Sequence, residues 1–417
     1  MSNRKQAISV PILLAVLIIV FAGGWAQRGQ AENAPVLSST DAPYSVPGPY
    51  AVGMQEVTTG DAESLAIAVW YPALVGEPSQ ETVTYPYQIK VAKPLGTVSV
   101  ANYTGQARLD APANRSAGPY PAVILSPGFS IGAATYGWLA EHIASYGFVV
   151  IAPEHPESMD ADLSGLWQSV PTRPQDILAV LAYVDAQTAA DGAFDGLIDG
   201  EQVAVVGHSY GGYTALAAAG ARMDTESFTA HCKWVNATEH PTAWLCDKLV
   251  PHLPEMAAGA GLDAVPDGLW PAWADPRVDA IVSLAGDAYF FGQEGLAEID
   301  VPVLAVGGTH DQDTPYLWGT RPTYEYVSSP AKVRVGLEGA EHMIFTGPCE
   351  KIPFYLRLIS NEFCADPGWD RLYAHDLVSH FATAFLLAEL KGDVQAAAVL
   401  APAAVAFPSV DYTAQGY

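Results

Sequence analysis

The residues of this chain that most clearly suggest chemistry form the pentapeptide Gly207-His208-Ser209-Tyr210-Gly211. The pentapeptide follows the apolar run Val203–Val206 and precedes an alanine-rich segment, a pattern that predicts a strand, a sharp turn and a helix. A serine at such a turn has strained backbone geometry, and small flanking residues avoid collisions with the neighbouring strand and helix. The amino end of the helix favours developing negative charge. We therefore predict that Ser209 is a nucleophile.

A serine hydroxyl needs a base to take its proton and a third group to orient that base. On a strand–turn–helix elbow the acid and then the histidine follow the serine along the chain. His342 satisfies this order, because it lies in Gly339-Ala340-Glu341-His342-Met343, just past the last predicted strand. Of the ten histidines it has the best context, and we predict that it is the general base.

The orienting acid has more than one candidate in the sequence. Asp311 directly follows the predicted strand Val301–Val306, from which it would project toward the histidine. Asp287 follows the preceding predicted strand, and Asp313 stands before a helix start, where a capping role is expected. Asp311 is the favoured acid, with Asp287 and Asp313 as alternatives.

An acyl transfer also needs two N–H donors for the oxyanion that forms. One donor is expected to be the backbone N–H of Tyr210, the residue after the nucleophile. The other should lie in the turn after the predicted strand Ala122–Ser126, which assigns it to Phe129. Gly128 in this turn allows a close approach of the backbone.

Other polar residues suggest less. His208 is expected to be packed or hydrogen-bonded, and Glu154 and His155 either line the pocket or have a structural role. The Asp-Gly pairs at 191, 195 and 199 lack the spacing of a calcium loop and are interpreted as turns. The sequence contains no phosphate-binding loop and no histidine pair with metal-ligand spacing, so we expect neither a cofactor nor a metal.

The elements that must position these residues alternate between strand and helix from Pro119 onward, which predicts a mostly parallel central sheet flanked by helices. We assign residues 44–392 to this domain. Arg222–Asp275 interrupts the alternation and is interpreted as a cap over the substrate pocket. Pro86–Pro112 is predicted to be irregular and to lie at the edge, and residues 393–417 are assigned to a C-terminal tail.

The composition narrows the functional classes. Among 417 residues, 45 are acidic and 19 basic, giving a net charge of −26, which argues against binding nucleic acid or anionic lipid through a basic patch. Residues 1–31 begin with a basic segment followed by an apolar one, which predicts a signal peptide and hence a secreted or periplasmic protein. A signal anchor that stays in the membrane is the alternative. Residues 32–43 are predicted to be a linker.

The chain contains four cysteines, which is consistent with export to an oxidising compartment. They allow three pairings, of which we predict the two local ones. Cys232 would pair with Cys246, and Cys349 with Cys364.

Taken together, these segments resemble the α/β-hydrolase superfamily, within it the dienelactone-hydrolase-like and platelet-activating-factor-acetylhydrolase-like branch. Bacterial cutinases and polyester hydrolases look similar over much of the same frame, about Tyr50 to Gly392. The matching pieces are Val69-Trp70-Tyr71-Pro72, Leu125–Phe129, Ser145–Val150, Gly207–Gly212, Val301–Asp311 and Glu341-His342.

Two features qualify what the resemblance implies. Dienelactone hydrolases use a cysteine nucleophile, whereas this chain has Ser209. The acetylhydrolases place their acid where Asp287 stands, and cutinase-like members place it where Asp311 stands. The resemblance implies an α/β-hydrolase fold and a carboxylic-ester hydrolase, with short-chain, phospholipid and polyester substrates all open.

The leading hypothesis is an exported esterase or lipase that works through an acyl-enzyme on Ser209. An acyltransferase with the same three residues is the second. A catalytically silent hydrolase fold used for binding is the third, and it is disfavoured because both the serine and the histidine are present.

Overall fold

The computed structural model describes residues 42–60, 64–74, 81–91, 96–159, 163–347, 366 and 368–417. The predicted signal segment, most of the predicted linker and the predicted Cys349–Cys364 pair lie outside these residues. Within the described ranges, no helix combines the length and the apolar character needed to cross a bilayer.

A single sheet of eleven strands organises the described chain, in the order β11-β10-β9-β8-β7-β5-β6-β2-β1-β4-β3. The six strands from β10 to β6 in this order are parallel. The strands are β1 (Ala51–Thr58), β2 (Ala66–Ala73), β3 (Thr82–Val91), β4 (Gly96–Leu109), β5 (Tyr120–Ser126), β6 (Val149–Pro153), β7 (Ile198–His208), β8 (Val278–Leu284), β9 (Val303–Gly308), β10 (Lys332–Leu337) and β11 (Val410–Gln415).

Helices cover both faces of the sheet. They are α1 (Gly137–Ser145), α2 (Ser169–Thr188), α3 (Tyr210–Ala218), α4 (Thr225–Ala237), α5 (Ala243–Leu249), α6 (Leu253–Gly259), α7 (Gly292–Leu296), α8 (Thr320–Tyr326), α9 (Arg371–Lys391) and α10 (Val394–Val399). Apolar residues of α2 and α3 form one core with Val203 and Val205 of β7, whereas α1 and α9 share the other core with Ala204 and Val206. This two-sided covering confirms the predicted fold class.

The central strands are buried on both faces, which explains their nearly continuous apolar sequences. Every residue of β5 and β6 is buried. Because these strands are parallel, their carboxyl ends meet at one edge of the sheet. The loops after β5, β7, β8, β9 and β10 therefore converge there and carry Phe129, Ser209, Asp287, Asp311 and His342.

The prediction that Pro86–Pro112 is irregular is wrong. Residues 82–91 and 96–109 form the antiparallel strand pair β3–β4, and Tyr85 of β3 donates a hydrogen bond to Glu141 of α1 at 2.7 Å. Pro86 suggested a break, but β3 is the outermost strand of the sheet. A proline lacks only an N–H group, and an edge strand tolerates that loss.

The assignment of residues 393–417 to a tail beyond the domain is also wrong. They form α10 and β11, and β11 pairs antiparallel with β10 from Val410 opposite Leu337 to Gln415 opposite Lys332. The sheet therefore extends past the predicted boundary at Gly392. Val410, Tyr412 and Ala414 of β11 pack against the core and alternate with polar residues, but the alternation is only six residues long and follows an alanine-rich segment.

The segment 222–275 between α3 and β8 is helical and contains α4, α5 and α6. A disulfide joins Cys232 of α4 to Cys246 of α5, which confirms the first predicted pairing. Both cysteines are buried among the apolar residues of the core that contains α2 and α3.

Replacing Cys232 and Cys246 together by serine should lower the free energy of unfolding by about 3 kcal/mol, because the bridge closes a loop with a sequence separation of 14. Urea unfolding under oxidising conditions measures the change, and wild-type protein with a reductant is the control. An unfolding midpoint equal to that of the oxidised wild type would contradict the stabilising role.

Candidate active site

Ser209 lies at a strained turn between β7 and α3, with φ 57° and ψ −124°. Its N–H donates to the carbonyl of Leu284 at the end of β8, at 2.9 Å. A Cβ atom at Gly207 would lie 2.0 Å from the oxygen of Gly211, and one at Gly211 would lie 2.0 Å from the oxygen of Ser126. Glycine is therefore required at both positions, as the sequence pattern predicts.

His342 connects the serine to a carboxylate. Its Nε2 atom lies 2.8 Å from Ser209 Oγ, and its Nδ1 atom lies 2.7 Å from Asp311 Oδ2. A carboxylate only accepts, so Nδ1 carries the proton and Nε2 accepts from the serine hydroxyl when the ring is neutral. His342 and Asp311 are buried, with 6% and 3% of their surface exposed.

Asp311 is held by the loop that follows β9. Its Oδ1 atom accepts the backbone N–H groups of Asp313 at 2.9 Å and Thr314 at 2.7 Å. These two bonds leave Oδ2 facing the imidazole. The contribution of Thr314 could not be predicted from the sequence.

The other two acid candidates occupy different positions. Asp287 Oδ1 accepts a hydrogen bond from Thr314 Oγ1 at 2.9 Å. Asp313 is exposed and meets Asp311 through its backbone. Among the described residues, Asp311 is the only carboxylate hydrogen-bonded to His342, although Asp287 lines the same pocket.

The ionisable groups of the site and their burial shift the pKa values of His342 and Asp287. Burial lowers the pKa of His342, but the charge and hydrogen bond of Asp311, with weaker contributions from Asp313 and Asp287, outweigh burial and raise this pKa to about 9. Burial also raises the pKa of Asp287 to about 7. At neutral pH the site therefore favours a positively charged His342 imidazole.

The turn after β5 provides N–H groups near Ser209. Phe129 and Tyr210 both line the pocket that contains Ser209. Within the described residues, no acceptor contacts the backbone N–H of either one. The N–H of Gly128, in contrast, donates to Tyr136 Oη at 3.2 Å. Within the described part of the chain, the N–H of Phe129 is therefore available to a substrate.

Arg173 of α2 fixes the orientation of this turn. The buried guanidinium donates to the carbonyl of Pro127 at 2.9 Å and to that of Gly128 at 3.3 Å. In a trans peptide the C=O and the following N–H point in opposite directions. Anchoring the Gly128 carbonyl on Arg173 therefore directs the N–H of Phe129 away from the guanidinium.

A chain of hydrogen bonds links this turn to the elbow and to the histidine loop. Tyr136 Oη accepts from Gly128 and lies 2.7 Å from His208 Nδ1, and His208 Nε2 lies 3.1 Å from the carbonyl of His342. Because a carbonyl only accepts, Nε2 must donate, and Nδ1 accepts the tyrosine proton. Burial lowers the pKa of His208 well below its ordinary value, which keeps this ring neutral.

A second Ser–His–Asp arrangement lies behind the turn. His155 Nε2 is 2.9 Å from Ser126 Oγ, and His155 Nδ1 is 2.7 Å from Asp176 Oδ2. Ser126 and His155 have 0% and 2% of their surface exposed, so this serine is not accessible to a substrate. The arrangement instead ties the ends of β5 and β6 to α2.

Possible metal ligands cluster at the same place. Atoms of His155, Glu157 and Asp176 lie within 4.8 Å of one another. Both imidazole nitrogens of His155 already take part in hydrogen bonds, with Ser126 and Asp176. The cluster is therefore explained by its own contacts, without a metal ion.

The pocket beside Ser209 has a volume of about 230 Å³. Residues from the insertion form one of its walls, next to the residues of the carboxyl edge of the sheet. The lining residues are Phe129, Ser130, Ile131, Leu166, Ser209, Tyr210, Thr242, Trp244, Leu245, Asp287, Asp313, Thr314, His342 and Met343.

Sequence reasoning missed Arg173 and Tyr136. Arg173 was detectable in principle, because it lies three residues after Val170 and four before Ile177, on the buried side of α2. A charged residue on an apolar helix face indicates a buried partner. Tyr136 lies in a short turn without periodicity, so its contact with His208 had no sequence signal.

The chain is similar in sequence to a known family of hydrolases over the part that contains Ser209. A family model described as PET hydrolase-like matches residues 72–246, a span that includes the Phe129 turn and Ser209. Asp311 and His342 lie beyond the matched span. The match covers less than half of the chain.

Several characterised proteins are similar to part of the chain. A bis(hydroxyethyl) terephthalate hydrolase of Streptomyces coelicolor is 28% identical over 191 residues, 45% of this chain and 54% of that protein. Cutinase est2 of Thermobifida alba is 27% identical over 224 residues, 54% of this chain and 53% of that protein. Cutinase 2 of Thermobifida cellulosilytica is 35% identical over 117 residues, 28% of this chain and 40% of that protein.

The chain thus spans about half the length of the first two relatives. The order of its strands, the parallel centre of the sheet and the strained turn at Ser209 agree with this relationship. The chain has the α/β-hydrolase fold and is similar, over about half of its length, to cutinase-like polyester hydrolases.

Proposed function

We propose that this protein is a serine hydrolase of carboxylic esters that works through an acyl-enzyme. The observation that carries the proposal is the hydrogen-bond chain from Ser209 Oγ through His342 to Asp311, with separations of 2.8 and 2.7 Å. Such a chain lets an imidazole accept the serine proton while the carboxylate stabilises the resulting charge.

In the proposed reaction, Ser209 Oγ attacks the ester carbonyl carbon while its proton passes to His342 Nε2. The N–H groups of Phe129 and Tyr210 donate to the oxyanion. The intermediate collapses as Nε2 returns the proton to the leaving alkoxide, which departs as an alcohol. Water then attacks the acyl-enzyme and loses a proton to Nε2, and collapse of the second intermediate returns that proton to Ser209 and releases the acid.

The proposed substrates are uncharged carboxylic esters, including polyester segments. The names of the relatives, a terephthalate ester hydrolase and cutinases, support this class. The pocket supports it as well, because apolar side chains such as Ile131, Leu166 and Met343 form much of its wall, and none of the described residues that line it is a lysine or an arginine. The Cys232–Cys246 bridge and the apolar amino-terminal segment support export to an oxidising compartment.

Ser209→Ala should abolish ester hydrolysis while leaving the fold intact, because it removes only the nucleophilic oxygen. Hydrolysis of p-nitrophenyl butyrate measures the activity, and circular dichroism checks the fold. A fluorophosphonate should label the wild type at Ser209 and leave the variant unlabelled. Full activity in the variant would contradict the proposed function.

Asp311→Asn should lower turnover on the order of 10⁴-fold, because an amide no longer holds the imidazole in the productive tautomer. Asp287→Asn is the matched control, since it makes the same change in the same pocket without touching the His342 bond. Steady-state kinetics of the two variants give the answer. A nearly active Asp311→Asn with an inactive Asp287→Asn would reverse the assignment.

The rate constant kcat/KM should rise with pH from 6 to about 9, because only neutral His342 accepts a proton and its pKa is raised to about 9. Asp311→Asn should shift this rise to lower pH, since Asp311 makes the largest contribution that raises the pKa. Asp287→Asn should shift it less, because its contribution is the smallest. A pH profile of each variant tests this order, and an unshifted profile in Asp311→Asn would contradict it.

A further inference from the structure

Trp234 and His240 of the insertion form an aromatic surface with Trp318, which lies between β9 and α8. We call this surface the aromatic ledge. Trp318 packs edge-on against Trp234 with ring centroids 5.2 Å apart, and the ring of His240 lies 4.6 Å from that of Trp318. Half of the surface of Trp234 is exposed. A large aromatic side chain exposed to this extent, and supported by a second one, is a feature of ligand-binding surfaces.

The aromatic ledge is continuous with the pocket. His240 Nδ1 lies 3.0 Å from Thr242 Oγ1, and Thr242 lines the pocket. On the other side, Trp318 donates its backbone N–H to Pro315, the neighbour of the pocket residue Thr314. A substrate that leaves the pocket between these residues would therefore pass over the ledge.

The size of the pocket makes such an extension necessary for a long substrate. At about 230 Å³ it is smaller than the roughly 300–1,000 Å³ of typical small-molecule sites, so a chain of several repeat units must continue outside it. Asp313 is an exposed acidic residue of the pocket lining, which disfavours a carboxylate-bearing chain. The ledge thus fits an uncharged segment with flat aromatic or apolar groups.

We propose that the aromatic ledge binds the repeat unit next to the ester being cleaved in an uncharged aromatic polyester. The neighbouring aromatic unit stacks on Trp234 and Trp318 while its ester lies at Ser209. This inference rests on the proposed function for the reaction, but the binding surface itself is independent of turnover.

Binding is tested without turnover in a Ser209→Ala background, by depletion of the protein from solution by amorphous poly(ethylene terephthalate) particles. Adding Trp234→Ala should lower adsorption threefold to tenfold, the range expected for loss of one aromatic pair, and Trp234→Phe should lower it less. Leu74→Ala is the matched control, since Leu74 is 49% exposed and follows β2 at the opposite edge of the sheet. It should leave adsorption unchanged.

With Ser209 present, Trp234→Ala should lower the ratio of film hydrolysis to p-nitrophenyl butyrate hydrolysis by a similar factor. Thermal unfolding checks that each variant is folded. An unchanged ratio and adsorption in Trp234→Ala, or an equal loss in Leu74→Ala, would overturn the ledge. The proposal would also be overturned if the wild type were a dimer in solution and Trp234→Ala were a monomer, because a second copy of the chain would then cover this surface. If the wild type cleaves no ester, the proposed function fails while the adsorption assay still tests the ledge.

Discussion

The structure of the site depends on one constraint, the close packing of the backbone around Ser209. The elbow approaches the end of β5 at Gly211 and the end of β8 at Gly212, where a Cβ atom would lie 2.0 Å from the Ser126 oxygen and 2.4 Å from the Gly286 Cα atom. The same two strand ends lead into the Phe129 turn and the Asp287 loop. The strained serine therefore sets the distances between the loops that surround it, and larger side chains at these glycines would force the loops apart.

A buried cation maintains the geometry on the β5 side. Arg173 has no exposed surface, and burial lowers its pKa, whereas the charges of Tyr210, Glu157 and Asp176 act in the opposite direction. Its guanidinium also lies 5.1 Å from the centre of the Tyr210 ring. A desolvated charge is stable only when its donors are occupied. Arg173 thus contacts both the turn that orients Phe129 and the ring of Tyr210. A change in either would leave the buried guanidinium charge poorly compensated.

Sequence reasoning succeeded where short-range pattern determines structure. The apolar strands from β5 to β10 and the Ser209 elbow were predictable, because buried parallel strands and glycine-flanked turns have distinctive compositions. β3 and β11 were missed although apolar and polar residues alternate along both, because Pro86 interrupts the first and an alanine-rich segment precedes the second. The choice among the acids was also beyond the sequence. A carboxylate follows both β8 and β9, and what distinguishes Asp311 is a pair of backbone N–H groups whose positions depend on the folded loop.

The groups that we propose to react lie on different parts of the fold from the insertion residues that line the pocket. Ser209, Asp311 and His342 lie on loops at the carboxyl edge of a sheet buried on both faces, where a shift of one strand would disturb several others. Thr242 and Trp244, in contrast, belong to the disulfide-linked insertion, and the family match ends at Cys246, the second cysteine of that bridge. Among the described residues, no strand of the sheet pairs with the insertion. Its residues can therefore change the shape and chemistry of the pocket mouth while the hydrogen-bonded chain beneath it keeps its geometry.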